Sequence, residues 1–245
     1  MPPRPDLHPG EVETIDLMRR MQETVAETAR FEGSIDTPIA DLTAGGVDQA
    51  FPHAECIVSA AVAERDGSVL DDSIVTQKPA IGYVPGYLAF REGPAAIAAI
   101  GGLAPTLDVL MVDGNGRIHP RQAGLATHLG VVLDIPTVGV AKSLLCGRPI
   151  EPIDDLDTGE IVPIYADESV DTDSETIIGY AVQTRQYDAT DRHINPLFVS
   201  PGHDLGAMAA AELTLALSDR YKLPSPIRQA DRLATDQAAM QRPKG

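Results

Sequence analysis

Asp48, Glu92 and Asp113 stand where a carboxylate is unfavourable. Asp48 lies between Val47 and Gln49 inside the strand-like run TAGGVDQAF. Asp113 ends the apolar run VLMVD, and Glu92 stands in LAFREGPAA, just ahead of a helix start expected at Pro94. An ionised carboxylate among apolar residues is costly unless it is paired or holds a cation. Asp113-Gly114 alone reads as an ordinary strand-end turn; for Asp48, inside its run, that account is weaker. Two strands and a helix entry can bring the three carboxylates to one sheet edge. Hard oxygen ligands with room for water suit Mg²⁺, with Mn²⁺ as a substitute. Such a site activates water and neutralises a phosphodiester during in-line displacement.

Two further residues suit phosphate chemistry. Lys142 closes the apolar strand PTVGVAK, where a compact ammonium can meet a phosphate or orient water. A plain surface lysine at a strand end is the competing account, although the chain has only four lysines against fifteen arginines. His203, in VSPGHDLGAM, lies between a strand and a helix start. It can reach a phosphate or a water there, or cap the turn; taken alone, the turn is the simpler account. The stretch IGYVPGYLAF places Tyr83, Tyr87 and Phe90 within eight residues of a chain with six Tyr, four Phe and no Trp. Aromatics in a β-rich protein are usually core. Gly82, Pro85 and Gly86 instead suggest a stiff, exposed tip at Tyr83, as a wedge between bases requires.

Periodicity and turn residues define the elements that must position these groups. Residues 11–31 carry apolar positions at helical spacing without Gly or Pro. TAGGVDQAF, ECIVSAAVAER and SVLDDSIVTQ read as three successive strands with a turn at Asp66-Gly67. GPAAIAAIGGL is a short helix with Pro94 in its first turn. VLMVDG, RQAGLATHLGVVLD and PTVGVAK follow as strand, helix and strand. From Glu151 to Glu175 there are ten acidic residues and no Lys or Arg. Solvated acidic loops account for this segment better than a metal-binding loop does, and IVPIYA within it is expected as an edge strand, because Pro163 cannot donate to a ladder. TIIGYAVQT and PLFVSP are strands, and DLGAMAAAELTLALS is a helix. In the polar tail, 224–245, residues Ile227 to Met240 can form a last helix. Three strands followed by alternating helices and strands indicate one α/β domain over 1–245 with a mixed sheet.

Composition bounds the setting. The 245 residues are 43% hydrophobic, enough for one large core. No secretory h-region opens the chain, and its longest apolar run, Ala95 to Leu107, is broken by Gly101, Gly102 and Pro105. Cys56 and Cys146 have no metal-ligand spacing and read as reduced core thiols. A cytoplasmic protein without a membrane partner is expected. The net charge is −17, from 36 acidic and 19 basic residues. Such acidity argues against a nucleic-acid partner on its face. Adaptation to a very salty cytoplasm is the preferred reading, because salt screens the repulsion while a hydrated acidic surface maintains solubility.

Five ordered blocks between residues 46 and 205 carry a resemblance to a known family: GVD, YVPGYLAFREGPA, VDGNGRIHPRQAGLATHLG, PTVGVAKSLLCG and VSPGHDL. Together they resemble endonuclease V, the deoxyinosine-directed repair nuclease. The resemblance implies a ribonuclease H-like fold and Mg²⁺-dependent cleavage one nucleotide 3′ of a deaminated adenine, leaving 3′-hydroxyl and 5′-phosphate ends. It implies that Asp48, Glu92 and Asp113 hold the metal, with Lys142 and His203 as polar assistants. Tyr83, Val84 and Pro85 would form the strand-separating wedge, and Gly114, Asn115 and Gly116 would line the lesion pocket. His119, Arg121 and His128 would contact or support the strand. Two departures stand out: Gly82 replaces the proline that usually opens the wedge, and Asn115 stands where histidine is common. They leave the choice between deoxyinosine in DNA and inosine in RNA open. Another ribonuclease H-like nuclease would share the carboxylates but has no reason to carry YVPGYLAFREGPA. A binding protein that had lost catalysis would be expected to lack one of the three. A monomer is expected.

Overall fold

The computed structural model describes residues 4–12, 14–186 and 194–241. Two 3-10 turns, Pro5–Leu7 and Pro9–Glu11, lead into helix α1 (Ile15–Thr28). Thr14 caps α1 by accepting from the Leu17 N–H, and Met18, Gln22 and Val25 form its buried stripe. This helix is shorter at both ends than residues 11–31, because the 3-10 turn precedes it and Ala29 is already extended. Strands β1 (Ala44–His53), β2 (Cys56–Arg65) and β3 (Ser68–Gln77) follow, then α2 (Leu88–Gly101), β4 (Val109–Asp113), α3 (Leu125–Leu133) and β5 (Thr137–Ala141). The second half contains β6 (Arg148–Pro149), β7 (Ile161–Tyr165), β8 (Ile177–Val182), β9 (Leu197–His203), α4 (Ala207–Ser218) and α5 (Ser225–Gln241).

The nine strands form one sheet in the order β3-β2-β1-β4-β5-β9-β8-β7-β6. β1, β4 and β5 run parallel; the outer pairs are antiparallel. One face packs Val47, Leu110 and Val112 against α1, α2 and α3. The other packs Val109, Met111, Val138 and Val140 against α4 and Ile227 of α5. Gly46 permits the close approach of α5 to β1, since a Cβ there would fall 2.2 Å from the Pro226 backbone. No helix among the described residues is long and apolar enough to cross a membrane.

Four further features depart from the sequence expectations. α2 begins at Leu88, so Glu92 lies inside the helix and Pro94 is an interior residue. Proline there disfavours the helix by ~3 kcal/mol, but Ala89, Phe90, Ala95 and Ala96 are all buried along it and hold it in place. α3 begins at Leu125, because Gln122 adopts φ +51 and interrupts the run from Arg121. β7 is not the sheet edge; the two-residue β6 pairs along its outer side. The polar tail is the 17-residue α5, which buries Ile227, Ala230, Ala234 and Ala238. Residues 242–245 of that tail lie outside the described residues.

Candidate active site

The parallel register pairs Val47 with Val112, so the next residues, Asp48 and Asp113, are neighbours at the C-terminal ends of β1 and β4. Two positions earlier on each strand, Gly46 meets α5 and Met111 packs in the α4–α5 layer. Side chains alternate along a strand, which directs both carboxylates to the α5 side. Lys142 follows β5 and donates from Nζ to Asp113 Oδ2 at 2.6 Å. Glu92 comes from α2, on the opposite face, and is close enough to Asp113 to feel its charge.

Burial governs the electrostatics. Asp48, whose Oδ1 accepts from the Gln49 N–H at 2.7 Å, is pushed up to about 8, first by burial and then by the charge of Asp113. Glu92 is pushed up to about 7 by burial, with Arg91 opposing and Asp113 adding to the shift. Burial works against the Lys142 ammonium, yet its bond to Asp113 and the charges of Asp113, Asp48 and Asp231 hold its pKa above the usual lysine value. Asp231 was missed in the sequence. It comes from α5 and acts electrostatically on both Asp48 and Lys142. Lys222 was also missed. Its carbonyl accepts from Thr184 Oγ1 at 2.6 Å, and burial together with the nearby Lys142 lowers its pKa.

Among the described residues, no three His, Cys, Asp or Glu side chains converge closely enough to enclose a metal. Lys142 lies on Asp113 instead, and burial, with the charge of Asp113 adding to it, makes ionised Asp48 and Glu92 costly without a further positive partner. That donor set, hard oxygens with excess negative charge, fits a divalent cation.

A cavity of about 150 Å³ is lined by Leu88 of the helix that carries Glu92, by Asn115 two residues past Asp113, and by Tyr83, Val84, His119 and Leu125 among others. Tyr83 is 69% exposed at its mouth and Pro85 is exposed, whereas Val84 is half-buried in the lining. Asn115 Oδ1 is buried without a hydrogen-bond partner. Gly114 and Gly116 have other duties: Gly114 packs against Leu125, and a Cβ on Gly116 would fall 2.4 Å from the Pro201 carbonyl. They bring protein segments together rather than fronting the cavity.

The histidines divide. His119 lines the cavity, but its ring is buried; Nε2 meets the Gly86 carbonyl at 3.0 Å and Nδ1 accepts from the Arg121 N–H at 3.2 Å. Arg121 stacks over Tyr87, 4.9 Å from the ring centroid, so it braces the loop. His128 is wholly buried, with Nε2 on the Leu7 carbonyl at 2.8 Å and the Phe90 ring edge-on, and cannot touch a strand. His203 is also set apart. It pairs with Thr137 at the start of β5, five residues and ~16 Å from Lys142 at the other end. There it accepts from the Arg30 N–H and lies 3.6 Å from Asp134. A turn histidine in the sequence thus proves to be buried away from Lys142, whereas the charge of Asp231 acts on both Asp48 and Lys142.

The endonuclease V family model matches residues 21–232. The endonuclease V of Halobacterium salinarum is 50% identical over 218 residues, covering 88% of this chain and 83% of that protein. The crystal structure of the Streptomyces avermitilis endonuclease V superposes with a TM-score of 0.80 at 30% identity, covering 94% of this chain and 95% of that one. The Ciona intestinalis endonuclease V, solved in complex with a 24mer DNA containing an inosine followed by a ribo-adenosine, shares the fold with a TM-score of 0.74 at 24% identity, over 92% of this chain and 98% of that one. With its ribonuclease H-like sheet and five sequence blocks, this chain belongs to the endonuclease V family.

Proposed function

We propose that this chain is a single-domain, monomeric, cytoplasmic repair endonuclease that hydrolyses DNA one nucleotide 3′ of deoxyinosine and uses Mg²⁺. The observation that carries this reading is the meeting of Asp48, Asp113 and Lys142 at the C-terminal ends of three parallel strands, within electrostatic reach of Glu92 on α2, on segments whose next residues line a cavity bordered by the exposed Tyr83. Asp48, Glu92 and Asp113 would hold the metal, and Asp231 faces the same centre from α5. When bound, the cation supplies Lewis-acid stabilisation of the phosphate oxygens and favours deprotonation of water. Lys142, with protons to spare beyond its bond to Asp113, meets the charge of the attacked phosphate. Water oxygen ends on the 5′-phosphate, and the 3′ oxygen leaves as a hydroxyl after taking a proton. The cavity receives the extruded base. Asn115 Oδ1, an acceptor without a partner in the free protein, suits the N1–H of hypoxanthine, where adenine offers only an acceptor. Tyr83 fills the gap left in the stack. The DNA seen on the Ciona protein supports this substrate class.

The experiment is cleavage of end-labelled strands carrying deoxyinosine in DNA or inosine in RNA, with Mg²⁺ in concentrated potassium chloride. A cut one nucleotide 3′ of the lesion, faster on deoxyinosine, is the expected result. Faster cutting of the RNA strand would assign the chain to inosine-containing RNA, and no cut on either would end the reading.

A further inference from the structure

Gln22 lies on α1, far in sequence from the wedge loop, and is 1% exposed. Its amide is fully engaged. Nε2 donates to the Gly86 carbonyl at 2.8 Å and to the Ala123 carbonyl at 3.4 Å, while Oε1 accepts from Arg121 Nε at 2.7 Å. The Gly86 carbonyl also receives Arg121 Nη2 at 3.3 Å and His119 Nε2 at 3.0 Å. Only one neutral tautomer of His119 serves both of its contacts, Nε2–H donating to Gly86 and Nδ1 accepting from the Arg121 N–H. At the other end of the loop, Arg91 Nη1 donates to the Ile81 carbonyl at 3.1 Å. Residues 82–85, with Tyr83 at the tip, are therefore held between two fixed points. A buried side chain with every donor used has no hydrogen left for a ligand, yet Gln22 borders the cavity. Its bonds join three separate segments, namely α1, the wedge loop and the β4–α3 connection.

We infer that Gln22 is a positioning residue for strand separation: by tying the Gly86 carbonyl to α1 and Arg121, it fixes the height at which Tyr83 enters the duplex. The inference rests on the proposed reading of Tyr83 as a wedge. A wedge can push bases apart only if its base does not yield, so a loose Gly86 would let the loop recoil into solvent. A single strand needs no pushing apart. The role is therefore a specificity device for duplex substrate and leaves chemistry at the carboxylates untouched.

The test uses Gln22→Leu, which keeps most of the volume, and Gln22→Glu, which still accepts from Arg121 but cannot donate to Gly86. Backbone hydrogen exchange in the free protein reads the tether without any substrate. The Tyr87 amide, which donates to the Val84 carbonyl at 3.0 Å, should exchange roughly tenfold faster in both variants, the factor equivalent to one net hydrogen bond. Cleavage of a deoxyinosine duplex should fall by about tenfold in kcat/KM, while a single-stranded substrate changes less than twofold. In a Tyr83→Ala background, Gln22→Leu should have no further effect on the duplex, because both act through one wedge. Unchanged exchange at Tyr87, equal losses on duplex and single strand, or unfolding of both variants by circular dichroism would each overturn the inference. If the wild type cuts no inosine strand, the proposed function fails, while faster exchange still upholds the tether alone.

Discussion

At the scale of single residues, the decisive contrast is between Asp231 and His203. Both lie in polar surroundings in the sequence. His203 belongs to the block VSPGHDL, yet it is buried on β9 opposite the start of β5. Asp231 lies in the polar tail, within the stretch Ile227 to Met240 expected to form the last helix. A signal was available: Ile227, Ala230, Ala234 and Ala238 repeat at helical spacing, a stripe weak in hydrophobicity but continuous. Asp231 flanks that stripe, where a helix crossing the sheet can present it to Asp48. The pair Asp48 and Asp113 was legible because a carboxylate ending an apolar run needs a reason. Their roles can be separated. Asp113→Ala should lower single-turnover cleavage by roughly a hundredfold or more, since it removes the Lys142 anchor together with the oxygen proposed to hold the metal. Asp231→Asn should cost about tenfold, the size seen for outer partners of metal ligands. Gel-shift affinity for deoxyinosine duplex, measured beside the rates, should change little in either variant. Wild-type rates for Asp113→Ala would exclude it from the site. Tyr83→Ala should weaken duplex cleavage more than single-strand cleavage, because stacking against a base contributes ~1–3 kcal/mol only where a stack must be repaired. Equal losses would make Tyr83 a general substrate contact.

Among the elements, those with strong alternation or long apolar runs were legible: β1 to β5 and the core of α1 all lie where periodicity places them. Their ends were less so, because Gln122 at φ +51 and interior Pro94 are tolerated through tertiary packing that no local pattern records. The docking of the first 3-10 turn was invisible for the same reason. It depends on His128 in α3 donating to the Leu7 carbonyl across 121 positions. Burial pushes His128 down to about 4, with the Leu7 bond opposing and His8 adding to the shift. An unfolded histidine titrates near about 6.5, so the unfolded chain binds this proton more tightly than the folded one. The contribution to stability is therefore complete above that value and is lost as pH falls toward about 4. Between neutral pH and pH about 5, the loss should be about 2 kcal/mol for this histidine. His128→Gln can still donate but does not titrate. Urea midpoints in concentrated salt should therefore fall more steeply with acid for the wild type than for His128→Gln. Parallel pH profiles would show that His128 binds its proton equally well in the folded and unfolded chain.

For the whole molecule, the question is how a chain of net charge −17 approaches a polyanion. Two of its four lysines, Lys142 and Lys222, lie near one another at the active edge despite their mutual repulsion. Two ammonium groups thus stand among the carboxylates of that edge, and much further acidic charge lies away from it, including the segment 151–175. The similarity to the Halobacterium salinarum protein agrees with an acidic surface suited to salt. Most DNA-binding proteins lose affinity as salt rises, because phosphate neutralisation releases condensed counterions. Here few basic residues drive that release, while long-range repulsion reaches ~30 Å in 0.01 M salt and only about 3 Å in molar salt. Contacts made at hydrogen-bond distance by Lys142, the cavity loop and Tyr83 survive such screening, and the repulsion does not. Cleavage of a deoxyinosine duplex should therefore rise from low salt to molar potassium chloride. Circular dichroism at each salt separates refolding from binding, and the comparison is restricted to salts at which the chain is folded. Lys222→Gln should lower duplex affinity at every salt without changing which base is recognised, as expected for a phosphate contact. If the protein is folded throughout and activity declines steadily with salt, then counterion release outweighs screened repulsion, and the acidic surface has some purpose other than salt adaptation.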